Sequence, residues 1–531
     1  IDSCQLLSIV DVLISDYSSI FYDFLLTERP VIHYVYDWDY YVSTRGVYFG
    51  KEDLPGIVCE DEPSLLKAVA DCVADPQGNI SATYRHARDL YCQMEDGHAA
   101  ERVVDALFFG KADCVSDFGP TQGAGRLLMH CGELEHNRTL LASQALLRGL
   151  RERDYVTTVM VDRRVVVHDE VRTRTAQSML DYTDVLIRFG GASYSLEEAW
   201  INDRFTKLNA FASPMHEEIY TRAMKHEARR LLGGARFDAA IDLDGTRPFW
   251  AQLIAAVDAD RHIAFLNNDM VADRTDKAPH LERQFQTFKL FDTLVSPNAA
   301  VDTANQNRLV ENFGLDAERF AVCHPFVNAQ DIADKAAVVP IDADFAAYQA
   351  DARRKIVSIE NFWPEKRHDQ LIDALAVLVG QGEDVALYLV GAGPQKLALQ
   401  QQVASLGLDD RVILLDGRDN PYPYLAHADC TAFAFDRLST ARVVLEAAVL
   451  HVPAAVMDRG GLDELVTATG CIVTQATAEA LAHGVRDALS GRKAAKFDVG
   501  AHNERALDRF IALASPSSGE AVASTIAVGA A

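Results

Sequence analysis

Asp16, Ser18 and Ser19 stand where an apolar run gives way to a helical pattern in DVLISDYSSIFYDFLLTERPVIHY, residues 11–34. Val12, Leu13 and Ile14 suit a short buried parallel strand, and Ile20, Phe21, Phe24 and Leu25 recur at helical spacing. The hydroxyls therefore fall at a strand-to-helix turn, beside free backbone N–H groups and the positive end of a helix dipole, where a phosphate can bind. The same position suits Ser18 or Ser19 as a helix N-cap, and spacing alone leaves both roles open. Downstream, in VYDWDYYVSTRGVYF, Arg45 can present a guanidinium fork to a phosphate. The aromatic residues around it suit stacking on a base or sugar or, more simply, core packing.

Gly391 and Gly393 in LVGAGP allow a backbone to approach a ligand closely, and a tight strand-to-helix turn explains them equally well. Cys323 and His324 in AVCHPF are adjacent but lack further ligands at suitable spacing, which favours a packed loop over a metal site. No metal or organic cofactor is expected. The order of the opening unit recurs at residues 429–461, DCTAFAFDRLSTARVVLEAAVLHVPAAVMDRGG, with an apolar strand, hydroxyl residues opening a helix, and Pro453 leading into another strand.

The elements that must position these residues are those of an α/β protein. The 531 residues suffice for about three domains, and 49% are hydrophobic. A net charge of -26 opposes nonspecific attraction to nucleic acid or an anionic membrane, so no nucleic-acid partner is expected and an anionic substrate needs local basic residues. Nine scattered cysteines without a CxxC pair suit reduced thiols in a cytoplasmic protein. No apolar run reaches the length of a membrane span, and no signal peptide is visible. Beginning with Ile1, the chain is expected to be a piece of a longer protein. A cytoplasmic location follows, or one at the inner face of the plasma membrane with peripheral contact through the region upstream of Ile1.

Residues 1–110 suit the later part of an α/β domain, and 111–126 a linker. Alternating strands and helices run through 127–330, with RLLMHC, YVTTVMV, DVLIRFG, DAAIDLDG, HIAFLNND and TLVSPN as strands. A connecting stretch, 331–350, precedes a second α/β series, 351–515, with KIVSIEN, VALYLVGAGP, RVILLDG, CTAFAFD and PAAVMD as strands, and the tail 516–531 is expected to be disordered.

Four segments in order, NFWPEKRHDQLIDAL, LYLVGAGPQKLALQQQVASLGLDDRVILLDG, NPYPYLAHADC and RVVLEAAVLHVPAAVMDRGG, make residues 351–475 resemble the nucleotide-binding domain of retaining nucleotide-sugar glycosyltransferases with the GT-B fold. Residues 127–330 resemble the matching acceptor domain through HNRTLLASQALLRGL, IDLDGTRPFWAQL and LNNDM. The opening segment, with RGVYF, LPG and EDGHAAERVVD following it, resembles the C-terminal end of CDP-glycerol glycerophosphotransferases, the teichoic acid primases and polymerases. The fold these resemblances imply is GT-B, two Rossmann-like domains, preceded by a partial GT-B-like α/β domain.

The resemblance places Asp16, Ser18 and Ser19 near CDP-glycerol, Lys366 on the diphosphate of a nucleotide sugar and Glu446 on its ribose. Three positions depart from the family pattern. Asn361 stands where an arginine faces the diphosphate, Leu438 where a glutamate contacts the transferred sugar, and Asn267, in Asn267-Asn268-Asp269, where the acceptor domain carries a histidine. Leu438 cannot accept a hydrogen bond from a sugar hydroxyl, and Asn361 cannot neutralise phosphate charge. The implied function is cell-envelope transfer in teichoic-acid-like polymer synthesis, with CDP-glycerol and a nucleotide sugar as donors and a polyol-phosphate or glycolipid acceptor. The family's catalytic histidines lie upstream, so this piece alone is not expected to polymerise glycerol phosphate. The competing reading is a degenerate, noncatalytic scaffold that binds polymer or a partner enzyme.

Overall fold

The computed structural model describes residues 3–45, 50–109, 111, 123–134, 138–276, 280–435, 442–458, 468–490 and 497–515. They fall into two units, residues 1–121 and 122–531.

In the first unit, Leu13–Ser15 (β1), Val31–Tyr34 (β2) and Ile57–Cys59 (β3) form a parallel sheet in the order β1-β2-β3. Pro30 ends the preceding helical stretch and turns the chain into β2, whose Val31 and Ile32 are buried. The expected burial of the Val12-Leu13-Ile14 run fails at Ile14, which is 49% exposed. Successive side chains of a strand point to opposite faces, so Ile14 turns away from the side on which Leu13 and the buried Ser15 lie. The helix Ile20–Leu25 buries Phe21, Phe24 and Leu25 against Leu7 and Tyr84. The helix Trp38–Arg45 buries none of its residues, so Trp38, Tyr40 and Tyr41 do not pack as a core.

The second unit holds two parallel sheets. Gly125–His130 (β4), Tyr155–Asp162 (β5), Asp184–Arg188 (β6), Phe237–Asp242 (β7), Ala259–Phe265 (β8), Thr293–Ser296 (β9) and Phe320–Val322 (β10) are ordered β10-β9-β8-β7-β4-β5-β6. Arg354–Ile359 (β11), Val385–Val390 (β12), Val412–Leu415 (β13), Cys430–Phe433 (β14), Ala454–Met457 (β15) and Ile472–Thr474 (β16) are ordered β13-β12-β11-β14-β15-β16. Counted within its own domain, the second sheet has the Rossmann order 3-2-1-4-5-6, and the first has the same order with one strand added. This is the pair of Rossmann-like domains that the GT-B resemblance implies. Their central strands are continuous apolar runs, as burial on both faces requires; every residue of β12 is buried.

The expected connecting stretch 331–350 contains helical structure. The helices Ala329–Ala336 and Ala343–Ala350 occupy most of it, each opened by a side-chain cap, Asn328 and Asp342. The alanine content that suggested a connector is also good helix-forming composition. Of the expected linker 111–126, β4 already begins at Gly125, and 112–122 lie outside the described residues, as does the tail 516–531.

The helix Val499–Ala514 follows the second sheet in sequence but packs on the first. Ala506, Leu507, Phe510, Leu513 and Ala514 share one core with Leu127, Met129 and Leu147. Polar contacts fix the crossing: Arg509 Nε donates to the Val322 carbonyl at 3.1 Å, and Arg153 pairs with Asp508 at 3.2 Å.

Candidate functional site

In the second sheet the strand order reverses between β11 and β14, and ligands of open α/β sheets bind outside the carboxyl ends of strands at such a reversal. A cleft of about 550 Å³ lies there. β11 delivers Glu360 and Asn361 to it, β12 delivers Gly391, and β13 is followed by Gly417, Arg418 and Asp419. The helix Arg442–Val449 presents Arg442 and Glu446, one turn apart on one face. The facing wall comes from the first Rossmann domain through Thr139, Leu141, Asn267 and Asn268, and the connecting helix adds Lys335.

Lys366, in the short 3-10 turn Pro364–Lys366, is brought to the same cleft. Its Nζ pairs with Glu360 Oε2 at 3.0 Å and sits 5.0 Å from the centre of the Phe435 ring. Glu446 is buried, and Asn361 is exposed to the cleft. Lys366, Asn361, Gly391 and Glu446, spread along residues 361–446, therefore line one cavity. Leu438 lies outside the described residues.

The two glycines serve the protein's own loops. A Cβ on Gly391 would lie 2.1 Å from the Glu360 carbonyl oxygen, and one on Gly393, whose φ is +157°, would lie within 2.9 Å of three Phe362 backbone atoms. The loop pair is stitched by Phe362 N–H to the Ala392 carbonyl at 2.9 Å and Gln395 N–H to the Phe362 carbonyl at 3.0 Å. Close approach is the reason for glycine here, with the backbone after β11 as the near neighbour.

On the side of the first Rossmann domain, Asn267 reaches the cleft, with Nδ2 donating to the Leu243 carbonyl at 2.8 Å. Asp269 does not line it: both carboxylate oxygens accept from Arg308, at 2.9 and 2.8 Å, and Oδ1 also caps the Ala272 N–H. Glu360, Lys335, Arg418 and Arg442 were not singled out by sequence reasoning. Glu360 carried a usable signal, since it directly precedes Asn361 at the end of an apolar strand.

In the first unit, Asp16, Ser18 and Ser19 are exposed just beyond β1. Ser19 occupies the N-cap position without a side-chain capping bond, and Ser18 Oγ accepts from Ile20 N–H at 3.4 Å. Tyr17 between them is held: its hydroxyl donates to Asp37 at 2.7 Å and its ring stacks on Tyr41 at 3.8 Å. Burial, followed by the Asp37 contact, pushes its pKa up. Arg45 is exposed at the end of its helix; Gly46 lies outside the described residues.

Two polar clusters in the first Rossmann domain are structural. His130 and Asp242, ending β4 and β7, pair at 3.0 Å, fully buried, with the imidazole stacked on Trp250. Arg188 joins Asp162 at 3.0 Å and Glu227 at 2.9 Å in equally dry surroundings. His324, in the loop after β10, hydrogen-bonds through Nδ1 with the Pro297 carbonyl at 3.2 Å, and Cys323 Sγ donates to the Ala506 carbonyl at 3.6 Å, as a packed loop requires. Among the described residues no helix is long and apolar enough to cross a membrane.

Residues 2–109 match the family described as CDP-Glycerol:Poly(glycerophosphate) glycerophosphotransferase, and residues 341–499 match Glycosyl transferases group 1. The chain is 36% identical over 113 residues to the teichoic acid glycerol-phosphate transferase of Staphylococcus aureus, covering 20% of this chain and 28% of that protein. It is 31% identical over 109 residues to the teichoic acid poly(glycerol phosphate) polymerase of Bacillus subtilis, covering 20% of this chain and 14% of that protein. It thus spans less than a third of these relatives. Anabaena HepE, solved in complex with UDP and glucose, aligns with 73% of this chain and 99% of its own at 16% identity and a TM-score of 0.49. The chain joins a segment similar to the CDP-glycerol glycerophosphotransferases to a domain similar to the group 1 glycosyltransferases.

Proposed function

We propose that the chain is part of a cell-envelope transferase for teichoic-acid-like polymer synthesis, in which the second unit transfers a sugar from a nucleotide sugar to a glycan or polyol acceptor. The observation that carries this reading is the meeting of Lys366, Asn361, Gly391 and Glu446 in one cleft at the strand-order reversal of the domain matched to group 1 glycosyltransferases. Departure of a nucleoside diphosphate needs its developing charge stabilised, and Lys366 is the cation placed for it. Glu446 is positioned to hold the ribose, and an acceptor hydroxyl enters from the side of Asn267.

The first unit supplies part of a CDP-glycerol site. A polyol hydroxyl oxygen attacks the β-phosphorus, the bond from that phosphorus to the CMP oxygen breaks, and CMP leaves. Asp16, Ser18 and Ser19 approach the donor at the end of β1. The polyol-phosphate or glycolipid acceptor and any contact with the inner membrane face belong to this proposal as well.

Isothermal calorimetry of the whole chain against UDP, GDP, ADP and CDP tests the second unit. Saturable binding to one of them, weakened at least tenfold in Lys366→Ala, is expected. A folded protein that binds none favours the noncatalytic scaffold, which the Lys366 to Glu360 pair and the uncharged Asn361 support.

A further inference from the structure

Three of the four cations that line the cleft are already engaged by this chain's own carboxylates. Lys366 pairs with Glu360 at 3.0 Å, Lys335 with Asp331 at 2.8 Å, and Arg418 with Asp344. Asp331 and Asp344 are not among the lining residues. Glu360 differs in being part of the wall itself, next to Asn361. Its side chain is 9% exposed and that of Lys366 18%, so the pair acts where water screens charge poorly.

We infer that Glu360 determines how much phosphate charge the cleft accepts, by holding Lys366 in an internal ion pair that a ligand phosphate must share. The inference rests on the nucleotide reading of this cleft and deepens it. An approaching phosphate meets a neutral pair instead of a lone ammonium, and each further phosphate charge meets the Glu360 carboxylate as well as Lys366. Asn361 beside it offers dipoles but no compensating charge. Glu360 therefore weighs against highly charged phosphate ligands, and its penalty grows from nucleoside to monophosphate to diphosphate. Phe435, on which the Lys366 ammonium rests, keeps the cation in place when Glu360 lets go.

The test uses the whole chain and three ligands sharing one base, namely the nucleoside, its monophosphate and its diphosphate, in the uridine, guanosine, adenosine and cytidine series. Glu360→Gln keeps the shape and removes the charge. Diphosphate affinity should rise at least tenfold, monophosphate affinity less, and nucleoside affinity not at all. The gain should shrink as salt is raised. Glu360→Ser serves the same comparison if Glu360→Gln does not fold. A folded variant that gains no diphosphate affinity, or gains equally for the nucleoside, overturns the inference while leaving the nucleotide reading in place if the unmodified chain binds. Absence of binding by both the unmodified chain and the variants removes both.

Discussion

Asn503 satisfies both backbone groups of Val327: its Oδ1 accepts from the Val327 N–H at 3.0 Å, and its Nδ2 donates to the Val327 carbonyl at 2.8 Å. The first residue belongs to the helix Val499–Ala514 and the second to the segment leaving the first Rossmann domain. Asn503→Ala strands the Val327 N–H at a buried residue, at about 1–3 kcal/mol for the group left unpaired, while the Val327 carbonyl keeps the Ala329 N–H at 3.1 Å. Chemical denaturation should show a fall of at least about 1 kcal/mol. Asn503→Asp keeps the acceptor and should fall less. Equal stability of Asn503→Ala and the unmodified protein would mean that the clamp contributes nothing.

His368 opens the helix His368–Gly380 edge-on to Phe362, and burial, opposed by the Glu360 charge, lowers its pKa from 6.5 to about 4. The unfolded chain therefore takes up the proton first. The contribution of the neutral imidazole is whole above pH 6.5 and is lost as pH falls toward about 4. Its full size is about 3 kcal/mol. His368→Leu removes the titration, so its stability should vary less between those pH values. An identical pH slope in the variant would assign the acid sensitivity to other groups.

Gly391→Ala drives a methyl into the Glu360 carbonyl, where backbone on both sides leaves little room to yield. Overpacking of this kind costs about 1–3 kcal/mol. The expected result is a lower melting temperature together with weaker nucleotide binding, because the displaced backbone carries Glu360 and Asn361 into the cleft. Gly407→Ala, at a turn with φ +66° but nothing within 4 Å of the added carbon, separates the two costs: it strains the backbone without altering the cleft. Loss of nucleotide binding in both variants would point to global destabilisation.

Asn361→Arg adds a guanidinium to the cleft wall. A hydrogen bond to a charged group is worth about 1.5–3 kcal/mol, so diphosphate affinity should rise about tenfold or more, and Leu438→Glu in the same chain should raise sugar transfer further. Calorimetry and product release measure the two effects. A folded Asn361→Arg protein with unchanged affinity would place the phosphates away from this end of β11.

Strand and helix alternation made both Rossmann domains legible, because central parallel strands are uninterrupted apolar runs and helices repeat every three to four residues. The strands that escaped were β3, β10 and β16, each three residues long, too short to establish a period. Lys366 and Glu446 came from local motifs and do share a cleft. The engagement of Lys366 by Glu360 was hidden, since a side chain six residues away folds back over a tight turn. Asp269 shows the reverse: its motif neighbour Asn267 reaches the cleft, while its own carboxylate accepts from Arg308 on another helix.

The helix Val499–Ala514 also fixes when the first Rossmann domain can mature during synthesis. Leu507 and Phe510 belong to the core that contains Leu127 and Met129, so a ribosome must translate nearly four hundred intervening residues before that core can close. Until then the sheet lacks the part of its cover that Leu507 and Phe510 supply. The second Rossmann domain, whose main cluster is drawn from Ile356 to Ala488, has its own core complete before the helix emerges. Of the two Rossmann domains, the one made first is therefore finished last, and a stop codon placed just before Val499 leaves the earlier one open while sparing the main core of the later one.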